Sequence, residues 1–218
     1  SDLAVLQGVD VKLVFLESYG ATVFDNPESR ERLARAREGL AQAVAATGRQ
    51  VVSAFVTSPT FGGASDMAHL GLLSGIDLSD PRRHDLLLTT ARPTLLGLFH
   101  ARGYETFGFY PALSWDWPER AFYGFDRFLD GPGLGYRGPH FGLWWIPDQY
   151  AIARFDELNP IGPDTPPRFL FFPTITSHIP FRPTPPYQPD WSRLLSPHPF
   201  DDAETAEALA DEIDWTEL

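Results

Sequence analysis

Cysteine is absent from all 218 residues. Its absence excludes disulfide scaffolds, thiol catalysis and cysteine-based zinc sites. Long apolar runs are also missing, because no stretch approaches the roughly 18 residues of a membrane-spanning helix and residues 1–10 lack a signal-peptide pattern. We therefore expect a soluble module, one that could be cut from a longer, membrane-anchored protein.

Positive charge is scarce. There are 17 Lys and Arg residues against 29 Asp and Glu residues, which gives a formal net charge of −12. Eight acidic residues and no basic ones lie in residues 201–218, so residues 1–200 carry only −4 (−12 minus −8). General binding to nucleic acid or to anionic membranes needs a positive field. We therefore expect no nucleic-acid partner.

Apolar residues make up 43% of the chain, enough for a real core. β-prone runs alternate with segments of helical periodicity, and this alternation predicts an α/β fold with a mostly parallel sheet. The predicted strands are 11–16, 50–57, 106–110 and 169–176, and the predicted helices are 26–47, 65–74, 91–102, 148–158 and 201–215. Residues 111–147 are predicted to be irregular. Residues 159–199 hold 12 of the 21 prolines, which excludes long helices there.

The acidic helix predicted at 201–215 has an apolar stripe of Ala203, Ala206, Ala210 and Ile213. We expect this stripe to need a covering partner in a longer protein.

Reactive side chains follow several of the predicted strands. In open parallel sheets functional groups gather at the carboxyl ends of the strands. Glu17 comes directly after the first strand, the turn at 58–65 follows the second, and His178 follows the last. We expect Glu17, Ser65 and His178 to converge there. A partly buried carboxylate such as Glu17 needs a partner, either a divalent cation or a salt-bridging or capping contact.

Ser65 is predicted to lie in the first turn of a helix, after the Gly62-Gly63 turn. Free amides and the helix dipole favour an anionic oxygen or ligand at that place. The alternative is an ordinary N-cap serine. The turn is neither a G-x-S-x-G nucleophile elbow, since Met67 replaces the last glycine, nor a P-loop.

Four segments, in order between about residues 10 and 191, resemble the alkaline phosphatase and sulfatase superfamily. The first is Phe15-Leu16-Glu17-Ser18, and the second runs from Ser58 through Ser65-Asp66-Met67-Ala68-His69. The third joins Gly103-Tyr104-Glu105-Thr106 to Tyr123-Gly124-Phe125-Asp126-Arg127-Phe128, and the fourth is Thr174-Ile175-Thr176-Ser177-His178-Ile179-Pro180-Phe181. They are most similar to the phosphoglycerol and phosphoethanolamine transferase branch, which includes lipoteichoic acid synthases.

The resemblance implies an α/β/α sandwich and a role for individual residues. It assigns Glu17 and Ser65 to one divalent metal (Mn, Mg or Zn) and makes Ser65 the nucleophile. It places His178 and Trp115 at the substrate. Asp148, within a further similar segment, is a candidate substrate ligand or else a helix N-cap. His69 lies one helical turn after Ser65 and could face the site, but it is interpreted as a packing residue.

The family pattern is incomplete in this sequence. The family has an Arg beside its substrate-site Trp, and Arg120 is only a loose candidate for it. The family completes its metal site with a downstream Asp-His pair, and this sequence has no Asp-His dipeptide. Arg83-His84-Asp85 has the reverse order and is predicted to lie in a loop. We therefore expect residues 1–218 to be the N-terminal portion of one catalytic domain, truncated at the C-terminus, with a possible C-terminal complement chain.

The implied activity is metal-dependent transfer or hydrolysis of a phosphodiester, phosphoglycerol or phosphoethanolamine, through a serine. The alternatives are a sulfate ester hydrolase and a non-catalytic α/β module that binds an anionic headgroup or a partner chain. The implied substrate is a phospholipid headgroup or an envelope glycan. The implied location is an extracytoplasmic domain of a membrane-anchored bacterial protein.

Overall fold

Four parallel strands form one sheet in the computed structural model, which describes residues 3–60, 63–142, 145–179 and 181–210. They are β1 (Val11–Phe15), β2 (Glu105–Tyr110), β3 (Arg127–Asp130) and β4 (Arg168–Pro173). Their spatial order is β1-β4-β2-β3, and every neighbouring pair is parallel. The predicted α/β fold with a parallel sheet is confirmed.

The central strand β4 explains why this sheet forms. All six of its residues are buried, as expected for a strand covered on both faces. It lies between β1, where Val11 is opposite Phe169, and β2, where Phe107 is opposite Leu170. The continuous apolar run Phe169-Leu170-Phe171-Phe172 is the sequence signal for such a strand.

Helices cover both faces of the sheet. Phe169 and Phe171 pack in one apolar cluster with residues of the helices between β1 and β2, among them Leu70 and Phe99. Leu170 and Phe172 belong to a second cluster with Phe155 and other residues that follow β3. Alternate residues of β4 therefore face opposite layers, and the predicted α/β/α sandwich is confirmed.

Ten α-helices are found in the described ranges. They are α1 (Thr22–Asp25), α2 (Pro27–Arg32), α3 (Ala34–Ala46), α4 (Ser65–Ser74), α5 (Arg82–Leu88), α6 (Leu95–His100), α7 (Arg120–Tyr123), α8 (Gly131–Leu134), α9 (Asp148–Leu158) and α10 (Asp202–Leu209). Short 3-10 turns lie at Ala4–Leu6 and Arg193–Leu195. None of these helices is long and apolar enough to cross a membrane.

The chain divides into two compact units. The larger is Ser1–Glu17 with Pro59–Leu218 and contains the sheet, whereas the smaller is Ser18–Ser58. In the smaller unit, all of whose residues are described, no side chain is buried. Asn26 caps α2 by accepting a hydrogen bond from the Ser29 amide at 3.0 Å, as its Asn-Pro start suggests. The helix predicted over 26–47 is broken at Leu33.

Two predictions in the first half of the chain are wrong. Residues 50–57 form no strand, and Val52 and Val56 are 94% and 91% exposed. Strand propensity measures how well a residue fits a packed, paired sheet, and these residues have no such neighbours. Arg83-His84-Asp85 lies in α5 and not in a loop.

One further prediction fails in the second half. Residues 111–147 are not wholly irregular, since they contain α7, β3 and α8. The short strand β3 pairs with β2, with Phe107 opposite Arg127 and Tyr110 opposite Asp130. The four residues of β3 do not by themselves predict this pairing. In α10, Ala203, Ala206 and Ala210 of the predicted stripe are exposed, and Ala208 and Leu209 pack against the second apolar cluster. The need of the stripe for a covering partner stays a prediction. Ile213 lies outside the described residues.

Candidate active site

A small cleft lies at the carboxyl edge of the sheet, where the chain leaves β1, β2 and β4. Its volume is about 140 Å³. Four of the five predicted site residues line it together: Glu17, Ser65, Trp115 and His178. The rest of the wall is Tyr110, Ala112, Leu113, Thr174 and Ile175. The structure thus brings together residues that are up to 161 positions apart (178 minus 17).

Glu17 is held by the segment that follows β4. Its backbone N–H donates to Thr174 Oγ1 at 3.2 Å, and its carbonyl oxygen accepts a hydrogen bond from Ser177 Oγ at 2.8 Å. The Thr174 amide in turn donates to the Phe15 carbonyl at 2.8 Å. These bonds extend the β1–β4 pairing past the end of the sheet and fix the Glu17 backbone at the cleft.

The Glu17 carboxylate is nearly buried, with 11% of the side chain exposed, and its Oε1 lies 3.3 Å from His69 Nε2. Burial alone would raise the pKa of Glu17. Hydrogen bonds from the His69 and Ser65 side chains, with the charges of His69 and His178, outweigh burial and lower that pKa below 4.5. Glu17 is therefore ionised at neutral pH.

His69 does more than the packing that sequence reasoning gave it. Its ring does pack, at 4.3 Å from Phe15 and 5.5 Å from Phe171 between centroids. It also donates toward Glu17 from a position that is 4% exposed. A signal was present in the sequence, since His69 is four residues after Ser65 and so lies on the same helix face.

Ser65 is the first residue of α4 and follows a strained turn. Gly63 has φ 111°, and Ala64 has φ 55°, a value that non-glycine residues seldom adopt. Such strain is concentrated at functional sites. The N-cap residue of this helix is Ala64, and Ser65 lines the cleft together with Glu17. The alternative interpretation of Ser65 as an N-cap is therefore wrong.

Tyr110 is a cleft residue that the sequence analysis missed. It is the last residue of β2 and is half-buried. Burial, together with the negative charges of Glu17 and Asp66, raises the pKa of Tyr110 to about 12. Its hydroxyl therefore keeps its proton at neutral pH and can donate a hydrogen bond. Its place at the carboxyl end of a strand was the available signal.

His178 is oriented by its own backbone turn. Its Nδ1 lies 2.6 Å from the Ile179 carbonyl oxygen. A carbonyl oxygen can only accept, so Nδ1 carries a proton, and in the neutral ring Nε2 has the lone pair.

Asp148 does not line the cleft but holds the segment that does. Its carboxylate accepts hydrogen bonds from the Ile175 amide at 2.9 Å and the Thr176 amide at 2.8 Å. Its own amide donates to Thr176 Oγ1 at 3.0 Å. It is the first residue of α9 and does not cap that helix, so the N-cap interpretation is wrong. Its role as a substrate ligand stays a prediction.

The donor set for a metal is incomplete in the described ranges. They contain no group of three or more His, Asp or Glu side chains that could hold a metal ion. Glu17 and Ser65 are adjacent oxygen donors, but about four protein ligands form a usual structural site. The described residues therefore do not fit a complete metal centre.

Comparison with known proteins shows the fold. No protein-family model and no curated protein sequence matches the chain. A solved structure from Vibrio parahaemolyticus, described as a protein in the alkaline phosphatase superfamily, matches with a TM-score of 0.50 and 18% identity. The match covers 94% of this chain and 48% of that one. This chain has an alkaline phosphatase-like α/β/α fold and spans about half the length of that structure.

Proposed function

We propose that the cleft is the ester-binding and nucleophile half of a phosphodiester-cleaving enzyme. The observation that supports this most directly is that Ser65, the first residue of α4, lines the same cleft as the nearly buried, ionised Glu17. The alkaline phosphatase-like fold is compatible with the proposal. The proposed reaction is transfer or hydrolysis of a phosphoglycerol or phosphoethanolamine group.

Each cleft residue has a role in this proposal. Ser65 Oγ attacks phosphorus and gives up its hydroxyl proton, the bond from phosphorus to the leaving alcohol breaks, and one proton is taken up by the leaving oxygen, so the step is neutral in protons. Water or an acceptor alcohol then displaces Ser65 from the covalent intermediate. Tyr110 donates to an ester oxygen, and His178 and Trp115 contact the group that is transferred. Amides and the dipole at the start of a helix generally favour an anion, so the N-terminus of α4 would favour the phosphoryl group.

Charge is the reason for proposing a metal. Glu17 is ionised, and Asp66 is in the first turn of α4, so an anionic ester would meet like charge. One divalent cation, Mn, Mg or Zn, would neutralise that repulsion, with Glu17 and Ser65 as two of its ligands. The remaining ligands would come from outside the described residues. A bound cation would supply charge stabilisation in the transition state.

Partners and location follow from the same proposal. A phospholipid headgroup or an envelope glycan would be the substrate, in an extracytoplasmic domain of a membrane-anchored bacterial protein. A C-terminal segment or complement chain would supply what this half lacks. We expect no nucleic-acid partner, because a formal charge of −12 does not provide the positive field that such binding needs.

The kinetic test uses the complete gene product with an aryl phosphodiester and, in parallel, an aryl sulfate. We expect phosphodiester hydrolysis that Ser65→Ala lowers by at least about 10³-fold. Ser53→Ala, at an exposed position outside the cleft, is the matched control and should be neutral. Turnover of the sulfate alone would favour the sulfate ester hydrolase. Full activity of Ser65→Ala would contradict the proposal.

Metal binding gives a second test on the 218-residue chain. Because the described residues bring only Glu17 and Ser65 together as donors, calorimetric titration with Mn²⁺, Zn²⁺ or Mg²⁺ should show affinity weaker than micromolar. Phosphodiester turnover by this chain should be negligible. Micromolar affinity, together with turnover that Ser65→Ala abolishes, would mean that these residues already hold a complete centre.

A further inference from the structure

A second, larger cavity lies beside the cleft in the same unit. Its volume is about 460 Å³, within the range of about 300–1,000 Å³ of small-molecule pockets. The segment after β2, the α8 region and the segment before α9 form its walls. No residue role proposed above uses this cavity, apart from the residues that it shares with the cleft.

The cavity and the cleft share a wall. Ala112, Trp115 and Ile175 line both of them. A ligand whose anionic end lies at Ser65 could therefore extend past Trp115 into the cavity. The Asp148 hydrogen bonds to Ile175 and Thr176 hold the shared wall in place.

The walls suit an apolar group better than a sugar. Pro111, Pro132 and Ile146 contribute only carbon to the lining side chains. The Tyr136 hydroxyl already donates to the Pro139 carbonyl at 2.7 Å. Each sugar hydroxyl buried without a partner would cost on the order of 1–3 kcal/mol, whereas an alkyl or aryl group has no such requirement.

Side chains with flat aromatic rings line this cavity. Trp145 stacks on His140 with ring centroids 5.1 Å apart and an interplanar angle of 5°. Trp145 and Trp115 are nevertheless 54% and 61% exposed. Large apolar side chains exposed around a concave surface mark ligand sites, because a ligand removes that surface from water.

We propose that this cavity binds the apolar portion, alkyl or aryl, of an ester whose phosphoryl group is held at Ser65. This inference rests on the proposed function for the anionic end and adds the substrate class: a monoanionic or dianionic ester with a hydrophobic substituent. The preferred substituent is flat, because the His140–Trp145 pair offers a planar wall.

The test measures equilibrium binding to the complete protein by tryptophan fluorescence and calorimetry. The probes are inorganic phosphate, the alkyl phosphates from methyl to hexyl, and phenyl and naphthyl phosphate. We expect Kd to fall about threefold for each added CH₂ that enters the cavity. Naphthyl phosphate should bind more tightly than hexyl phosphate if the flat wall matters, and the reverse order would identify an alkyl substituent.

Two variants localise the effect. Trp145→Ala removes a wall that only the cavity uses, and Ser114→Phe fills the cavity from an exposed position outside the cleft. Both should reduce the methyl-to-hexyl ratio of Kd at least tenfold and leave inorganic phosphate binding unchanged. Ser79→Phe, at an exposed position outside both lining sets, is the control and should retain the full ratio.

The two proposals fail differently. If inorganic phosphate binds but Kd does not change along the alkyl series, the cavity inference is overturned and the proposed function stands. If no phosphate compound binds while neutral 4-butylphenol still binds and Trp145→Ala abolishes that binding, the proposed function is overturned instead. A chain-length dependence that survives both variants would also overturn the inference.

Discussion

Charged side chains lie at both edges of the sheet, but their surroundings differ between the two edges. At the amino edge, Arg168 donates to the carbonyls of Asn159 at 2.8 Å and Pro160 at 3.0 Å, and its own amide donates to Asp10 at 2.9 Å. At the carboxyl edge, Glu17 and Ser65 line an open cleft. At the amino edge Arg168 connects loops to one another, whereas at the carboxyl edge Glu17 and Ser65 line a cleft that a ligand could enter.

The largest effect expected from this contrast is on stability at the amino edge. Arg168 is 8% exposed, and Arg168→Ala would leave two carbonyls without their donor. We expect a loss of about 2–4 kcal/mol in the free energy of unfolding, measured in urea. Arg127→Ala is the matched control, since Arg127 lies 3.8 Å from Glu105 and is 46% exposed, and should cost about 1 kcal/mol or less. Equal losses would remove the distinction between buried and exposed arginines at this edge.

A second stability effect is expected at the carboxyl edge, where Asp148 holds the segment that follows β4. Asp148→Ala removes the acceptor of two backbone N–H groups, one of them from buried Ile175, and should cost about 2 kcal/mol. Asp190→Ala is a useful control, because Asp190 also accepts two hydrogen bonds, both from Ser192, but is solvent-exposed. Its loss should be much smaller. A neutral Asp148→Ala would mean that these bonds do not hold the shared wall of cleft and cavity.

A smaller effect concerns pH. The folded-state pKa of Glu17 lies below its ordinary 4.5, so its stabilising contribution is present above about pH 4.5 and is lost as the pH falls through the folded-state pKa. Glu17→Gln should therefore make the acid loss of stability shallower. The measurement is urea unfolding between pH 3 and 7, with Glu31→Gln, at an exposed position, as control. An unchanged slope in Glu17→Gln would contradict the assigned hydrogen bonds.

Asp148 acts in the opposite sense. Burial raises the pKa of Asp148 above 3.8, so its folded form takes up a proton at a higher pH than the unfolded chain does. Relative to the protonated form, the ionised carboxylate is therefore less compatible with the folded state, and acid relieves that difference. Asp148→Asn should make the acid loss of stability steeper, and a shallower loss would contradict the raised pKa.

The sequence was sufficient where local pattern and tertiary packing agree. The helices at 65–74 and 148–158 and the strands near 11, 106 and 169 all form. Their predicted bounds differ from the observed ones by at most three residues. The parallel topology also followed, because strands alternating with helices can pair side by side only through crossovers. Convergence of Glu17 and His178 was therefore predictable from strand ends alone. Ser65 reaches the same cleft from the start of α4, since the strand predicted before it at 50–57 does not form.

The failures have a common physical cause. Residues 50–57 and β1 have similar β-prone composition, but β1 pairs with β4 and residues 50–57 pair with no described strand. Conversely, the four residues of β3 became a strand because β2 lies beside them. Tyr110 and the hydrogen bonds of Asp148 were missed for the same reason, since both depend on neighbours that are distant in sequence. Strand pairing and burial depend on tertiary contacts, which a local sequence pattern does not encode.

Covalent capture at Ser65 tests the central claim most directly. The complete protein is mixed with an aryl phosphodiester, quenched in acid during the first turnover and digested, and the adduct is mapped by mass spectrometry. The account predicts a phosphoryl adduct on the peptide containing Ser65, absent in Ser65→Ala and retained on the hydroxyl in Ser65→Thr. Continued turnover of the Ser65→Ala protein, or an adduct on any other residue, would contradict it.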